Sequence, residues 1–226
     1  MEYTINPIAH IESVFPTKFG IPRQSGLADW LTSKIIFEKP YRSADALRGL
    51  EEFSHIWLIW GFSENIDKGW SPTVRPPRLG GNRRMGVFAT RSSFRPNGLG
   101  LSSVKIEEIK TDPAQGPVII VSGADLMDGS PIFDIKPYIS MDCHQDAVCG
   151  FQEKTRSHCL QVDIPPELLA LIPKKLQEGL IQALAQDPRP SYQDNPDRIY
   201  GIAFAGFDVR FQVCQDILSV IQVTTL

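Results

Sequence analysis

Apolar and polar positions alternate with the period of strands over most of the first 140 residues of the chain. The clearest run is FSHIWLIWGF at residues 53–62, apolar on both alternating sides and rich in β-branched and aromatic residues, which predicts a strand buried on both faces. Residues 3–15 alternate loosely and end at Pro16, and SKIIFE at 33–38 supplies a second strand, with Pro22, Arg23, Gln24 and Gly26 in the loop between. LSSVKIEEI at 101–109 and PVIIVSGADL at 117–126 flank the turn residues DPAQG and predict a hairpin. Asp128-Gly129 then separates PVIIVSGADL from IFDIKPYI at 132–139, a dipeptide that predicts another tight hairpin turn. Ser43 is a candidate N-cap for a turn that Gly49 stops early. At least six short strands with hardly a helix before residue 140 predict an antiparallel β-barrel.

The period changes beyond that point. Residues 141–158 are polar and irregular, and then Leu168, Ile172, Leu176, Leu180 and Leu184 recur every four residues with Lys174, Lys175, Gln177 and Glu178 off the stripe, an amphipathic helix. Pro173 should break or restart it, and DPRP at 187–190 should end it. IYGIAFAGFDVRFQV at 199–213 and ILSVIQVTT at 217–225 follow as a final pair of strands. The predicted class is mainly β. A barrel domain over 1–142 and a small α+β domain over 160–226 are joined by a linker or insertion at 143–159.

Composition narrows the function classes. With 42% hydrophobic and 22% charged residues, the 226-residue chain is of ordinary soluble globular type. The longest apolar run, Ile56 to Phe62, is far below the roughly 18 residues of a membrane span, and the N-terminus has no basic segment before an apolar core. A cytoplasmic protein without a membrane partner is expected. Cys143, Cys149, Cys159 and Cys214 have no short paired spacing, and Cys143-His144 and His158-Cys159 lie in the loop-like stretch, so neither disulfides nor a metal site is predicted.

Charge is the feature composition alone hides. From Lys68 to Lys105 there are eight basic residues and no acid; removing those eight charges from the net −3 leaves −11 on the rest of the chain. Arg75, Arg78, Arg83, Arg84, Arg91 and Arg95 fall among glycines and prolines, with MGVFAT at 85–90 as a short strand between two arginine loops. Planar guanidinium forks and accessible backbone N–H groups suit a polyanion. The same arginines also suit a solvated rim or acids at a subunit interface. No glycine-rich dinucleotide turn is present, so a nucleotide-derived cofactor needs another kind of site. Asp125, Leu126, Met127 and Asp128 offer carboxylates and an apolar wall within four residues, or simply a turn whose aspartates cap N–H groups. His55, within the predicted buried strand, is a structural hydrogen-bonded group or a base.

Five stretches carry a family resemblance: GIPRQSGL at 20–27, LRGLEEFSHIWLIW at 47–60, RPPRLGGNRRMGVFATRSSFRPNGLG at 75–100, ADLMDGSPIFDIKPY at 124–138, and LAQDPRPSY at 184–192 with FDVRF at 207–211. Together they resemble the TsaA-like family, also called TrmO or YaeB-like. The resemblance implies a dimeric β-barrel methyltransferase that uses S-adenosylmethionine on threonylcarbamoyladenosine, immediately 3′ of the anticodon in tRNA of the tRNA-Thr type. It also implies cofactor contacts at Pro22, Arg23, Gln24, Ser63, Glu64, Arg91, Arg95 and Leu101, and along Asp125, Leu126, Met127 and Asp128. The family's His-containing dipeptide is Ser63-Glu64 here, and its RPNP is RPNG with Gly98. Anticodon-loop phosphates would meet Arg75, Arg78, Arg83 and Arg84, with Phe94 or Phe88 stacking on bases, although core packing is the first expectation for Phe88. The partner is RNA and not DNA, and the catalytic residue is left unassigned. A non-catalytic barrel that binds S-adenosylmethionine or RNA and regulates, and an enzyme for a small phosphorylated metabolite, are the competing classes.

Overall fold

A computed structural model describes residues 3–76, 79, 83–155, 159–189, 193 and 195–226 of the chain. In chain order its first strands are β1 (Ala9–Glu12), β2 (Thr32–Phe37), β3 (His55–Gly61), the two-residue β4 (Thr73–Val74) and β5 (Met85–Gly86), then β6 (Leu99–Asp112), β7 (Gly116–Ser122) and β8 (Pro131–Pro137). β1 pairs with β2, β2 with β7, β7 with β6, β6 with β3, β3 with β8, and β8 returns to β1, all antiparallel. The ring closes, so none of these six strands keeps a free edge along its whole length. Irregular registers in β3 beside β8 and in β6 beside β7 bend the strands where the sheet curves.

Side chains of period two fill the barrel. β3, expected to be buried on both faces, is buried on one: Ile56, Leu58 and Trp60 point into the barrel while His55, Trp57 and Ile59 alternate with them, half-buried, on the outer side. Ile11, Ile35, Ile119, Ile132 and Leu126 complete the core. The β6–β7 hairpin forms as its turn residues predict: the Asp112 carboxylate accepts the N–H groups of Ala114 and Gln115, and Gly116 adopts φ +75°.

Asp128-Gly129 does not make a hairpin. β7 and β8 lie on opposite sides of the ring and do not pair, so the segment between them spans one end of the barrel. It is tied to β1 and the residues just after it: the N–H of Asp128 donates to the carbonyl of Phe15 and that of Gly129 to Ile11. The turn dipeptide marks a change of direction, and which strand follows as neighbour is decided by the closure of the sheet.

Three further expectations need correction. MGVFAT is a strand only at Met85–Gly86 and then coils into a 3-10 turn over Val87–Ala89 that buries Val87, leaving Phe88 75% exposed instead of in the core. Ser43 precedes a 3-10 turn, Ala44–Leu47, without capping it through its side chain. The C-terminal pair of strands is three, because Ala205 and Gly206, both at positive φ, fold residues 199–213 into a hairpin.

The second sheet runs β10 (Tyr200–Phe204), β11 (Phe207–Cys214), β12 (Ile217–Thr225) and β9 (Gln161–Asp163), the last pair parallel. Its helices are α1 (Pro166–Leu169) and α2 (Lys174–Ala185), with Pro173 as the residue that starts α2 after the break. Leu180 and Leu184 of the predicted stripe are fully buried, and Leu168, Ile172 and Leu176 join the same core. Phe15, Ala28 and Leu31, from the segment between β1 and β2, pack into this core as well, Phe15 meeting the edge of Phe204 at 5.9 Å between ring centroids.

Candidate cofactor cavity

One cavity of about 530 Å³ opens at a barrel end. That is within the range of small-molecule sites, roughly 300–1,000 Å³. Its walls come from separate parts of the chain that the closed sheet brings together. The end of β3 contributes Trp60 and Gly61 with Phe62, Ser63 and Glu64 beyond it; β6 contributes Leu99 to Ser102. The segment spanning the barrel end supplies Asp125, Met127 and Ser130, and two loops supply residues 21–24 and Thr90, Arg91, Ser93 and Arg95.

Among the twelve residues picked out for the cofactor, Pro22, Arg23, Gln24, Ser63, Glu64, Arg91, Arg95, Leu101, Asp125 and Met127 line this cavity. Leu126 and Asp128 do not. Leu126 is fully buried among the barrel's core residues, and Asp128 faces away, its carboxylate accepting the N–H of Ser13 at 2.9 Å. The two leave the cavity for different reasons: Leu126 turns into the barrel core, and Asp128 stands in the exposed turn that it makes with Gly129. His55 is also elsewhere, on the outer side of β3 beside Ser54 and Tyr138, with Ser54 Oγ 2.9 Å from its Nδ1.

Burial acts directly on the charge of Asp125. Loss of solvent pushes its carboxyl above the ordinary 3.8, while the Ser102 hydroxyl, its own N–H, the charge of Arg91 and the N–H of Ser25 pull the other way. Arg95 donates to the carbonyl of Thr90 at 2.8 Å, a bond that braces the cavity-lining loop within itself. Arg23 donates through Nη2 to the carbonyls of Asp187 (2.8 Å) and Arg189 (3.0 Å), so residues 187–189 are fastened to the same wall. Asp187 and Arg189 are themselves buried and paired through both carboxylate oxygens.

Sequence reasoning missed Lys18, Trp60, Phe62, Asn65 and Ser102, which line the cavity too. Trp60 and Phe62 carried a signal, since they flank the end of the strand that delivers Ser63-Glu64. Ser102 gave none, being one polar residue in an alternating strand.

The cavity joins a desolvated carboxylate, cations and an aromatic wall in which Trp60 and Phe62 stand 4.4 Å apart between ring centroids. Those groups suit the hydroxyls and amine, the carboxylate and the adenine of S-adenosylmethionine respectively. Among the described residues, no group of three or more His, Cys, Asp or Glu side chains is placed to hold a metal ion; His158 lies outside them. No helix among them is long and apolar enough to cross a membrane.

Beyond the cavity, Arg75, Arg83 and Arg84 are exposed at one end of the β4–β5 pair, Arg75 just after β4 and Arg83 and Arg84 just before β5, and Arg84 reaches Thr73 Oγ1 at 3.3 Å. Arg78 lies outside the described residues. Trp70, Phe88 and Phe94 are exposed in the same stretch.

Comparison with known proteins gives concordant matches. Residues 10–143 match the tRNA-methyltransferase O N-terminal domain and residues 151–226 the TrmO C-terminal domain. The chain is 40% identical to the tRNA (adenine(37)-N6)-methyltransferase of Escherichia coli K12, covering 93% of both chains. It is 36% identical to a putative S-adenosylmethionine-dependent methyltransferase of Pseudomonas aeruginosa, over 99% of this chain and 98% of the other. The crystal structure of TrmO from Pseudomonas aeruginosa superposes with a TM-score of 0.81 at 32% identity, covering 99% of each chain. With both domain models matched in order and the fold shared end to end, this chain belongs to the TrmO family.

Proposed function

We propose that this chain is an S-adenosylmethionine-dependent tRNA methyltransferase that methylates the exocyclic amine of adenine 37, carried as threonylcarbamoyladenosine, in tRNA of the tRNA-Thr type. The observation that carries the reading is the cavity: residues from five separate stretches meet around Asp125 in a chain 40% identical to a tRNA (adenine(37)-N6)-methyltransferase. The cofactor, when bound, supplies an electrophilic methyl group on a sulfonium sulfur.

The chain's own task is then placement. Asp125 and Glu64 would accept hydrogen bonds from the cofactor's hydroxyls or amine, Arg91 and Arg95 would meet its carboxylate, and Pro22, Trp60, Phe62 and Leu101 would enclose its apolar parts. An attacking nitrogen, a methyl carbon and a leaving sulfur must stand in line, and alignment of this kind is worth orders of magnitude in rate. Carbamoylation leaves the amine weakly basic, so as the new N–C bond forms its proton would pass to solvent.

Arg75, Arg78, Arg83 and Arg84 hold phosphates of the anticodon loop, and exposed Trp70, Phe88 and Phe94 offer faces for splayed bases, each stack worth about 1–3 kcal/mol. Residues 1–142 form the cofactor unit and 160–226 the smaller one, the two working in a homodimer in the cytoplasm. The experiment is nucleoside mass spectrometry of tRNA incubated with the chain and cofactor. Threonylcarbamoyladenosine one methyl heavier supports the reading; a methyl on any other nucleoside, or none, rejects it.

A further inference from the structure

We propose that Ser102 is a positioning residue for this cavity: oriented by Trp60, its hydroxyl holds the Asp125 carboxyl as a hydrogen-bond acceptor toward the cofactor. The proposal rests on the cofactor-binding reading above.

The direction of the chain of bonds follows from the donors present. An indole N–H only donates, and a serine hydroxyl carries a single proton. Trp60 Nε1–H donates to Ser102 Oγ at 3.0 Å, and Ser102 Oγ–H in turn donates to Asp125 Oδ1 at 2.5 Å. With one lone pair of Ser102 engaged by the indole, its proton is directed to the carboxylate. A hydroxyl donating to an ionised carboxyl over so short a distance makes a strong, charge-assisted bond.

Burial makes the arrangement hard to replace. Ser102 is 1% exposed, so removing its hydroxyl leaves the Asp125 carboxyl without a buried donor at that oxygen. Trp60 is held in turn: Gly100, its register partner on β6, has no side chain to lift the indole, and Phe62 packs against it. Residues 100 and 102 share one side of β6, so an indole lying over the first reaches the second.

Desolvation drives the Asp125 carboxyl toward its neutral form, and the Ser102 hydroxyl is the largest influence opposing it. Arg91 acts in the same sense through its charge, and Lys18, Arg23, Glu64 and Arg95 are the other charged groups around the cavity. Asp125 reaches further, accepting the N–H of Ser25, next to the Pro22–Gln24 stretch. One hydroxyl thus keeps an acceptor ready on the cavity wall and supports the loop beside it.

The test is calorimetric titration of the full chain with S-adenosylmethionine across the acid and neutral range, for wild type, Ser102→Ala, Ser102→Cys, Ser102→Thr and Asp125→Asn. Ser102→Ala should weaken binding about tenfold at neutral pH, the size of a lost hydrogen bond to a charged group, and move the acid limb of the affinity profile to higher pH. Its KM for the cofactor should rise by more than kcat falls. Ser102→Thr, which keeps the hydroxyl, should restore the limb, and Asp125→Asn should abolish it. Ser102→Cys keeps the size with a poor donor and carries the test if the alanine variant does not fold. A folded Ser102→Ala or Ser102→Cys with wild-type affinity and an unmoved acid limb overturns the proposal while leaving the cofactor reading intact. A wild-type chain that binds no cofactor at any pH overturns that reading first, and the positioning role with it.

Discussion

The indole of Trp60 lies over Gly100 so closely that a Cβ added there would stand 2.4 Å from its Cε2. The two residues are register partners on β3 and β6, and the contact fixes a wall of the cavity. Gly100 needs no left-handed backbone, so space alone demands glycine. Gly100→Ala should therefore destabilise by about 1–3 kcal/mol through overpacking, and lower cofactor affinity by displacing the indole. A thermal melt and a binding titration on one preparation check both parts.

Gly179 poses a sharper case, because alanine ordinarily stabilises a helix interior by about 0.8–1.0 kcal/mol over glycine. Here a Cβ would stand 2.2 Å from Cδ2 of Leu31 and 2.4 Å from its Cγ, and Leu31 is itself buried. The contact joins α2 to the segment between the first two barrel strands. We expect Gly179→Ala to destabilise and Leu31→Ala in the same chain to relieve part of that loss. A double-mutant cycle in denaturant measures the coupling, and additive effects would show that the close approach is unimportant.

Asp125 links the site to pH. Its folded carboxyl is raised above 3.8, so at the lowest pH both folded and unfolded chains hold the proton and burial carries no ionisation cost. As pH rises from that value through the folded pKa, the unfolded chain ionises more readily and stability contributed by this group is lost. Asp125→Asn in the absence of cofactor should therefore flatten that decline, while weakening cofactor binding. Urea unfolding at a series of pH values reads the slope; an unchanged slope would show that Asp125 is not its source.

The arginine stretch is tested by salt. If Arg83 and Arg84 each meet a phosphate of a single-stranded loop, replacing both with alanine should reduce the slope of log K against log salt by about 1.4, at roughly 0.7 per contact. Nitrocellulose binding of tRNA over a salt series measures it. A weaker complex with the wild-type slope would assign these side chains to something other than phosphate contacts.

Much of this was legible in the sequence, and the exceptions share a cause. Strand positions followed from period two, and the break at Pro173 from its missing N–H, because both are local rules. Ring closure is not local: Asp128-Gly129 looks like a hairpin turn until β7 and β8 are found on opposite sides of the barrel. Leu126 and Asp128 were grouped with Asp125 and Met127 by adjacency, yet Leu126 turns into the barrel core and Asp128 into an exposed turn beside Ser13. Phe88 is exposed because Val87 takes the buried position of its 3-10 turn. Ser102 stayed invisible because its importance lies wholly in two partners, one 42 residues before it in sequence and one 23 after.

The most direct measurement is transfer of labelled methyl from S-adenosylmethionine to two pools of tRNA, one from cells able to make threonylcarbamoyladenosine and one from cells unable to. We expect label on the first pool alone, and strongly reduced label there with the Asp125→Asn chain. Equal label on both pools would contradict the substrate, and no label on either pool under conditions where the cofactor binds would contradict the enzyme.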